Sequence, residues 1–129
     1  MQYKRREPFR YEFLDPIKGS FSLLLNQEDQ KNLSKTDTGS MEILDISPRG
    51  MKFKSALNIP INKKAFLVEA YFNLENVDLN MLGKIAWKKE LEGMYYYGLE
   101  GFEDDEREQH ITNAVKEISK RRKDGDGLI

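Results

Sequence analysis

The sequence predicts a small, mainly β domain, a barrel or a sandwich, finished by one C-terminal helix. Three observations predict it. Most of the 129 residues alternate between apolar and polar at period two, the strand period. Turn signals cut this alternation at close intervals, which argues against a parallel α/β sheet. Near the C-terminus the period changes to that of an amphipathic helix.

Along the chain, Phe9, Tyr11 and Phe13 alternate with Arg10 and Glu12, and Pro16 and Gly19 mark a first turn. Phe21, Leu23 and Leu25 form the next alternating run. Asn26 to Ser40 holds Leu33 as its one large apolar residue and reads as an exposed, mobile loop. Met41 to Ile46 is an apolar-rich strand, and Pro48-Arg49-Gly50 is a tight turn. Met51 and Phe53 alternate with Lys52 and Lys54, and Asn58, Pro60 and Asn62 mark a loop. Val68, Ala70, Phe72 and Leu74 share one strand face; Met81, Gly83, Ile85 and Trp87 share another. Glu92-Gly93 marks a hairpin into the aromatic run Met94 to Tyr97. Six or seven strands result.

The final segment sets Glu103 to Glu106 before Lys120 to Lys123, with Ile111, Val115 and Ile118 on one helical stripe between them. Acid at the start and base at the end complement the helix dipole. The spacing predicts a helix from about Asp104 to Lys123, stopped by Asp124-Gly125-Asp126-Gly127 and packed along one edge of the β-domain.

Composition narrows the function. Lys and Arg number 21 against 22 Asp and Glu, a net charge of −1, so a broad nucleic-acid coat is not expected. A hydrophobic fraction of 39% with no Cys allows a packed core and excludes disulfides, thiolate metal sites and cysteine nucleophiles. No segment approaches the roughly 20 apolar residues of a membrane span. Glu7, Pro8, Arg10 and Glu12 break up any secretory signal at the N-terminus. A cytoplasmic protein of one domain is expected, with a basic arm at 1–10, a barrel over about 9–102 and the helix.

Two short stretches carry candidate chemistry. Lys4, Arg5, Arg6 and Arg10 place four cations against one anion, Glu7, in the first ten residues. Such a run is either a solvated arm or an anion clamp, because planar, permanently charged guanidinium suits phosphate and the O6/N7 edge of guanine. Asp45-Ile46-Ser47-Pro48-Arg49-Gly50 is either an ordinary strand end and turn or a polar rim. In the second reading the Asp45 carboxylate accepts from a guanine edge, the Ser47 hydroxyl adds a hydrogen bond, and Gly50 lets the backbone come close.

Together these stretches resemble the PilZ domain, a bacterial receptor module for cyclic di-GMP. The R-x-x-x-R motif is matched by Arg6-Glu7-Pro8-Phe9-Arg10 and the D/N-x-S-x-x-G motif by Asp45 to Gly50. Gly83-Lys84-Ile85-Ala86-Trp87, Tyr97-Gly98 and the acidic helix start follow in the family's order. The one departure is a generous spacing between the two motifs, caused by the Asn26 to Ser40 loop. The resemblance implies a six-stranded antiparallel barrel with a C-terminal helix and no enzymatic activity, cofactor or metal. It implies that Arg6 and Arg10 contact phosphates and guanine, that Asp45 and Ser47 bond a guanine edge, and that Gly50 keeps the approach clear. Arg5, just before the first motif Arg, implies capture of two intercalated nucleotides. The arm would order on binding and present a changed surface to a regulated protein in motility, adhesion or polysaccharide output.

Two rival readings remain: a PilZ-fold interaction module that takes no nucleotide, and a single-stranded nucleic-acid binder, disfavoured by the net charge. Other features read as structural. His110 is an exposed helix residue. Gly98 to Gly101 follows a strand rather than joining two helices, as a nucleic-acid-binding G-x-x-G loop should. Asp124 to Gly127 lacks the distal Glu of a calcium loop. Trp87 and the Tyr run read as core or barrel-face packing.

Overall fold

The computed structural model describes residues 10–26, 33–36, 38–60 and 66–127. The strands are Tyr11–Asn26 (β1), Leu33–Lys35 (β2), Gly39–Ser47 (β3), Gly50–Ser55 (β4), Phe66–Leu74 (β5), Val77–Leu91 (β6) and Met94–Gly101 (β7). The helix is Asp105–Gly127 (α1). Six strands close an antiparallel barrel in the order β1-β3-β4-β7-β6-β5, with β5 pairing back to β1. The expected barrel with one C-terminal helix is therefore the fold, and the sandwich is not.

The alternation fills the barrel as its period demands. Val68, Ala70, Phe72 and Leu74 are buried, and so are Met51 and Phe53, while Lys52 and Lys54 face outward. Phe53 stacks between Phe21 and Tyr97 at ring distances of 5.8 and 5.1 Å. The fully buried Tyr97 hydroxyl donates to Leu57 O and accepts from Ile59 N–H, both at 2.7 Å, which pins the chain leaving β4 to the barrel.

Several local expectations are corrected. Pro16 and Gly19 do not make a turn, because β1 runs straight through them. Its register with β3 slips between Glu12 and Ile17, and Pro16 falls in that bulge, where a missing N–H is tolerated. Gly19 sits where β1 leaves β3 for β5: a Cβ there would lie 2.7 Å from Tyr71 O. Proline and glycine thus bend one long strand so that it closes the barrel. Within the expected loop, Leu33–Lys35 pairs with Leu24–Asn26 as the short β2, and Asn26, Gly39 and Ser40 belong to strands. Residues 27–32 and 37 of that loop lie outside the described residues, as do Phe9 and Asn62.

The Pro48-Arg49 and Glu92-Gly93 hairpins form as expected. A third, Glu75-Asn76, carried no glycine to announce it, and both residues adopt positive φ, 52° and 65°. Arg121 holds Glu75 there by a bidentate pair at 2.7 and 2.8 Å.

Helix α1 lies over the barrel end where the β3–β4 and β5–β6 turns gather. Ile111, Ala114 and Val115 join the core, and Ile118 packs half-buried behind them. Asp104 caps the helix: its carboxylate accepts from Arg107 N–H at 3.1 Å, and its own N–H donates to Glu108 Oε2 at 3.0 Å. Arg107 is buried under this turn, which pushes its guanidinium pKa below the usual value, and it donates to Phe102 O at 2.6 Å. The expected stop at Asp124 is overrun, since α1 continues to Gly127 and the basic cluster sits one turn before the end. Glycine costs a helix only about 1 kcal/mol, and no proline removes an N–H here. No helix among the described residues is long and apolar enough to cross a membrane.

Candidate functional site

Two β-bulges build the site. If β3 alternated without a break, Asp45 would share the inner face with Ile43. Instead the register with β4 slips at Leu44, so Asp45 pairs with Lys52 and Ser47 with Gly50, while Ile46 turns inward. A second slip, at Ala86, pairs Trp87 with Gly98 and turns the indole out of the barrel. An extra residue in one strand shifts every following side chain to the other face. The expectation that Trp87 shares the inner face of Gly83 and Ile85 fails for this reason.

Both re-aimed side chains lie in one cross-strand row. Glu12, Asp45, Lys52, Gly98 and Trp87 follow one another across β1, β3, β4, β7 and β6. A second row holds Ser47, Gly50, Glu100 and Lys84. Between them lies an outer-face groove of about 350 Å³, lined among others by Arg10, Asp45, Arg49, Gly50, Lys52 and Trp87. This is within the usual size range of small-ligand clefts. The glycines form its floor. A Cβ on Gly98 would meet Trp87 Nε1 at 2.0 Å, and one on Gly50 would meet Leu99 O at 2.9 Å.

The charges are organised around Asp45. Its carboxylate, with the side chain only 11% exposed, pairs with the Arg10 guanidinium, which reaches in from just before β1. Burial raises the Asp45 pKa above its usual 3.8, an effect that Arg10 and Lys52 oppose and Glu12 reinforces. Ser47 is fully buried, and its hydroxyl donates to Gly50 O at 3.3 Å, bracing the turn. Arg49 reaches the other way, to Glu108 on α1 at 3.1 Å. The groove wall thus carries Arg10, Arg49 and Lys52 against Asp45 and Glu100. It is a cationic cleft with one sheltered carboxylate.

Of the residues expected at the site, Arg10, Asp45, Ser47 and Gly50 come together; Arg5 and Arg6 lie outside the described residues. Arg49, Lys52 and Trp87 line the same groove and were not singled out as site residues. Arg49 stood inside the motif. Nothing in the alternation pointed to Trp87. Among the described residues no group of three or more His, Cys, Asp or Glu could hold a metal ion.

The model of the PilZ domain family matches residues 4–117. The chain belongs to the PilZ domain family. PilZ domains are non-catalytic receptors and generally bind cyclic di-GMP. No curated protein matches this chain in sequence. In this PilZ domain the spacing of the later motif residues has a packing reason: Gly83 allows the backbone of Glu100 and Gly101 to approach, and Gly98 makes room for the Trp87 indole.

Proposed function

We propose that this PilZ domain is a cytoplasmic receptor for cyclic di-GMP and regulates a partner protein through its N-terminal arm. The Arg10–Asp45 pair in the groove carries the reading. Without ligand, Arg10 satisfies a carboxylate that would otherwise be buried unpaired. A guanine edge supplies two N–H donors to the same carboxylate, and Arg10 is then released toward a phosphate. Ser47 Oγ, buried while it donates to Gly50, keeps acceptor lone pairs that meet the ligand once Arg10 moves aside. Gly50 lets a flat ring approach the sheet, and Trp87, whose indole lies over Gly98, offers it a stacking face. Arg5 and Arg6 complete the phosphate contacts as the arm closes, and Arg5 clamps a second nucleotide. Ordering the arm lowers the affinity and creates the surface that the partner in motility, adhesion or polysaccharide output reads.

A calorimetric titration of the full chain with cyclic di-GMP tests this. Two nucleotides per chain are expected, and Arg10→Ala should lower the affinity at least about tenfold, the worth of one charged hydrogen bond. Uptake of one nucleotide per chain would remove the second from the scheme. Unchanged binding by Arg10→Ala would remove the clamp.

The raised Asp45 pKa sets the pH dependence. The carboxylate must be ionised to accept from guanine, and accepting two N–H bonds lowers its pKa in the complex, so binding releases protons. Affinity is therefore full above the raised pKa of the free domain, itself above the usual 3.8, and falls as the pH drops through it. Titrations from neutral into acid pH check this, and the Asp45→Asn chain should lack that inflection.

The same ion pair also suits a second reading, in which it merely closes the groove of a constitutive interaction module. Thermal unfolding separates the two. Cyclic di-GMP at about 100 times its dissociation constant should stabilise a receptor by roughly 2.7 kcal/mol and leave the module unchanged.

A further inference from the structure

The outer face of the barrel continues past the groove toward the β6–β7 hairpin. One outward row on from Asp45, Lys52, Gly98 and Trp87 come Lys18, Glu42, Lys54, Tyr96 and Lys89, on β1, β3, β4, β7 and β6 in turn. Their neighbours Ile43, Phe53 and Tyr97 are fully buried, so this row points away from the core. Lys18 and Lys89 are exposed, and Lys54 and Tyr96 are half-buried. Lysines thus stand on every second strand, with a carboxylate and a phenol between them. Neighbouring strands lie about 4.8 Å apart, so the lysines recur at roughly 10 Å, the span of about three residues of extended chain. Glu42 lies 3.5 Å from Lys54, with side chains 41% and 28% exposed. A pair so open to water contributes little, so Lys54 exchanges Glu42 for a carboxylate from outside at small cost. Beside the row opens a cleft of about 320 Å³, lined among others by Lys18, Glu42, Lys54, Ala56 and Met94. Ala56 and Met94 give it an apolar side, and a thioether adapts to side chains of different shape.

We propose that this row docks an extended acidic segment of the regulated protein. The segment crosses the strands with carboxylates at about every third residue, on Lys18, Lys54 and Lys89, and sets one apolar side chain in the Met94 cleft. This rests on the receptor reading for there being a regulated protein, and it supplies that partner's chemistry. Charge complementarity selects the occupant, since the row carries three cations against one anion. A nucleic acid fits worse, because Glu42 and Asp45 interrupt the cations and the whole chain carries a net charge of −1. Recognition runs through side chains, because a chain lying on this face of a closed barrel meets no strand edge to extend. Tyr96, at the centre of the row, adds an amphipathic contact of the kind enriched at interfaces. The Asp45 row is about 7 Å away, two residues along a strand. A segment docked here therefore stands beside the groove whose filling it reads.

The test uses the full chain and a fluorescein-labelled nine-residue peptide of Ser, with Glu at every third position and one Leu. A control peptide has the same composition with its Glu residues consecutive. In anisotropy titrations wild type should bind the spaced peptide several-fold more tightly than the control, and less tightly as salt rises. Lys54→Gln combined with Lys89→Gln should weaken it about tenfold, the summed worth of two exposed ion pairs. Gln removes the charges without setting two anions opposite each other, as Lys54→Glu would against Glu42, so the pair should melt like wild type. If it melts early, Lys89→Gln alone, on an exposed side chain, should still show about a threefold loss. Cyclic di-GMP uptake by the same preparations should be unchanged. Unchanged peptide affinity in the Gln variants overturns the proposal. Equal binding of the spaced and clustered peptides overturns it too, since net charge alone would then be read. Loss of cyclic di-GMP uptake in the Gln variants assigns the lysines to the nucleotide and overturns it. Oligothymidylate bound more tightly than the spaced peptide, and lost in the same variants, overturns it in favour of nucleic acid. So does a wild type that takes up no peptide with or without cyclic di-GMP. A wild type that takes up the peptide as expected but no cyclic di-GMP removes the receptor reading and leaves the docking row.

Discussion

An Asp45→Asn chain is expected to keep its fold and lose cyclic di-GMP. The two effects have opposite causes. In the free domain the Asp45 side chain is 11% exposed and its ionised form is disfavoured by burial. An amide of nearly the same volume removes that desolvation cost. Arg10 loses its charged partner, but its side chain is 40% exposed and water can replace the bond. Unfolding without ligand should therefore occur at the same temperature as wild type or somewhat above it. Binding responds differently. Two guanine N–H donors meet a carboxylate that can accept both. An amide accepts one and turns its own NH2 toward the other, placing donor against donor. Losing a charge-assisted bond costs about 1.5–3 kcal/mol, a drop in affinity of roughly 10- to 150-fold. Melting and titration of the same preparation give both numbers. Wild-type affinity in Asp45→Asn would mean that the groove recognises its ligand without Asp45.

The second large effect separates two glycines that look alike in sequence. A Cβ on Gly83 would fall 2.2 Å from Glu100 O and 2.7 Å from Gly101 Cα. Those are backbone atoms of the paired strand β7 and cannot step aside, so Gly83→Ala must part β6 from β7 beneath the helix. A loss of several kcal/mol is expected, a large share of the roughly 5–15 kcal/mol that holds a domain of this size together. A Cβ on Gly98 would fall 2.0 Å from Trp87 Nε1, but the indole is 39% exposed and can swing into solvent. Gly98→Ala should therefore melt within about 1–2 kcal/mol of wild type, helped by alanine's lower backbone entropy cost in a strand. Its groove would lose the aromatic wall. Trp87 is the single Trp of the chain, so its emission should shift to the red in Gly98→Ala without ligand, and the affinity should fall with it. A Gly83→Ala chain that melts like wild type would show that β6 and β7 have room to move apart.

Much of this was legible in the amino-acid order. Alternation along Val68–Leu74 and Met51–Phe53 marked strands and their inner faces, because a pleated strand leaves no other way to bury every second residue. Glu92-Gly93 and Pro48-Arg49 marked hairpins by backbone preference, and the Ile111, Val115, Ile118 stripe marked the helix and its buried side. These are local properties: side-chain period and φ preference act within a few residues. Arg10, Asp45, Ser47 and Gly50 were legible for another reason, since a motif names residues without needing to know where they point.

Pointing was the part that local pattern could not supply. By alternation Asp45 belongs beside Ile43 and Trp87 beside Ile85, inside the barrel. Both face the groove because an extra residue, Leu44 in one strand and Ala86 in the other, is accommodated against a partner strand far away in sequence. A bulge is a mismatch between two strands, so neither strand alone contains it. Pro16 and Gly19 follow the same logic. Locally they are turn residues; in the barrel they let β1 bend and exchange β3 for β5. The Glu75-Asn76 turn depends on a bidentate hold from Arg121, and Arg49 reaches Glu108 across 59 residues. The chain's order set which segments are strand or helix and which residues carry charge. Strand pairing and barrel closure set which of them meet, because register, bulge and ion pair are relations between distant segments and exist only once those segments touch.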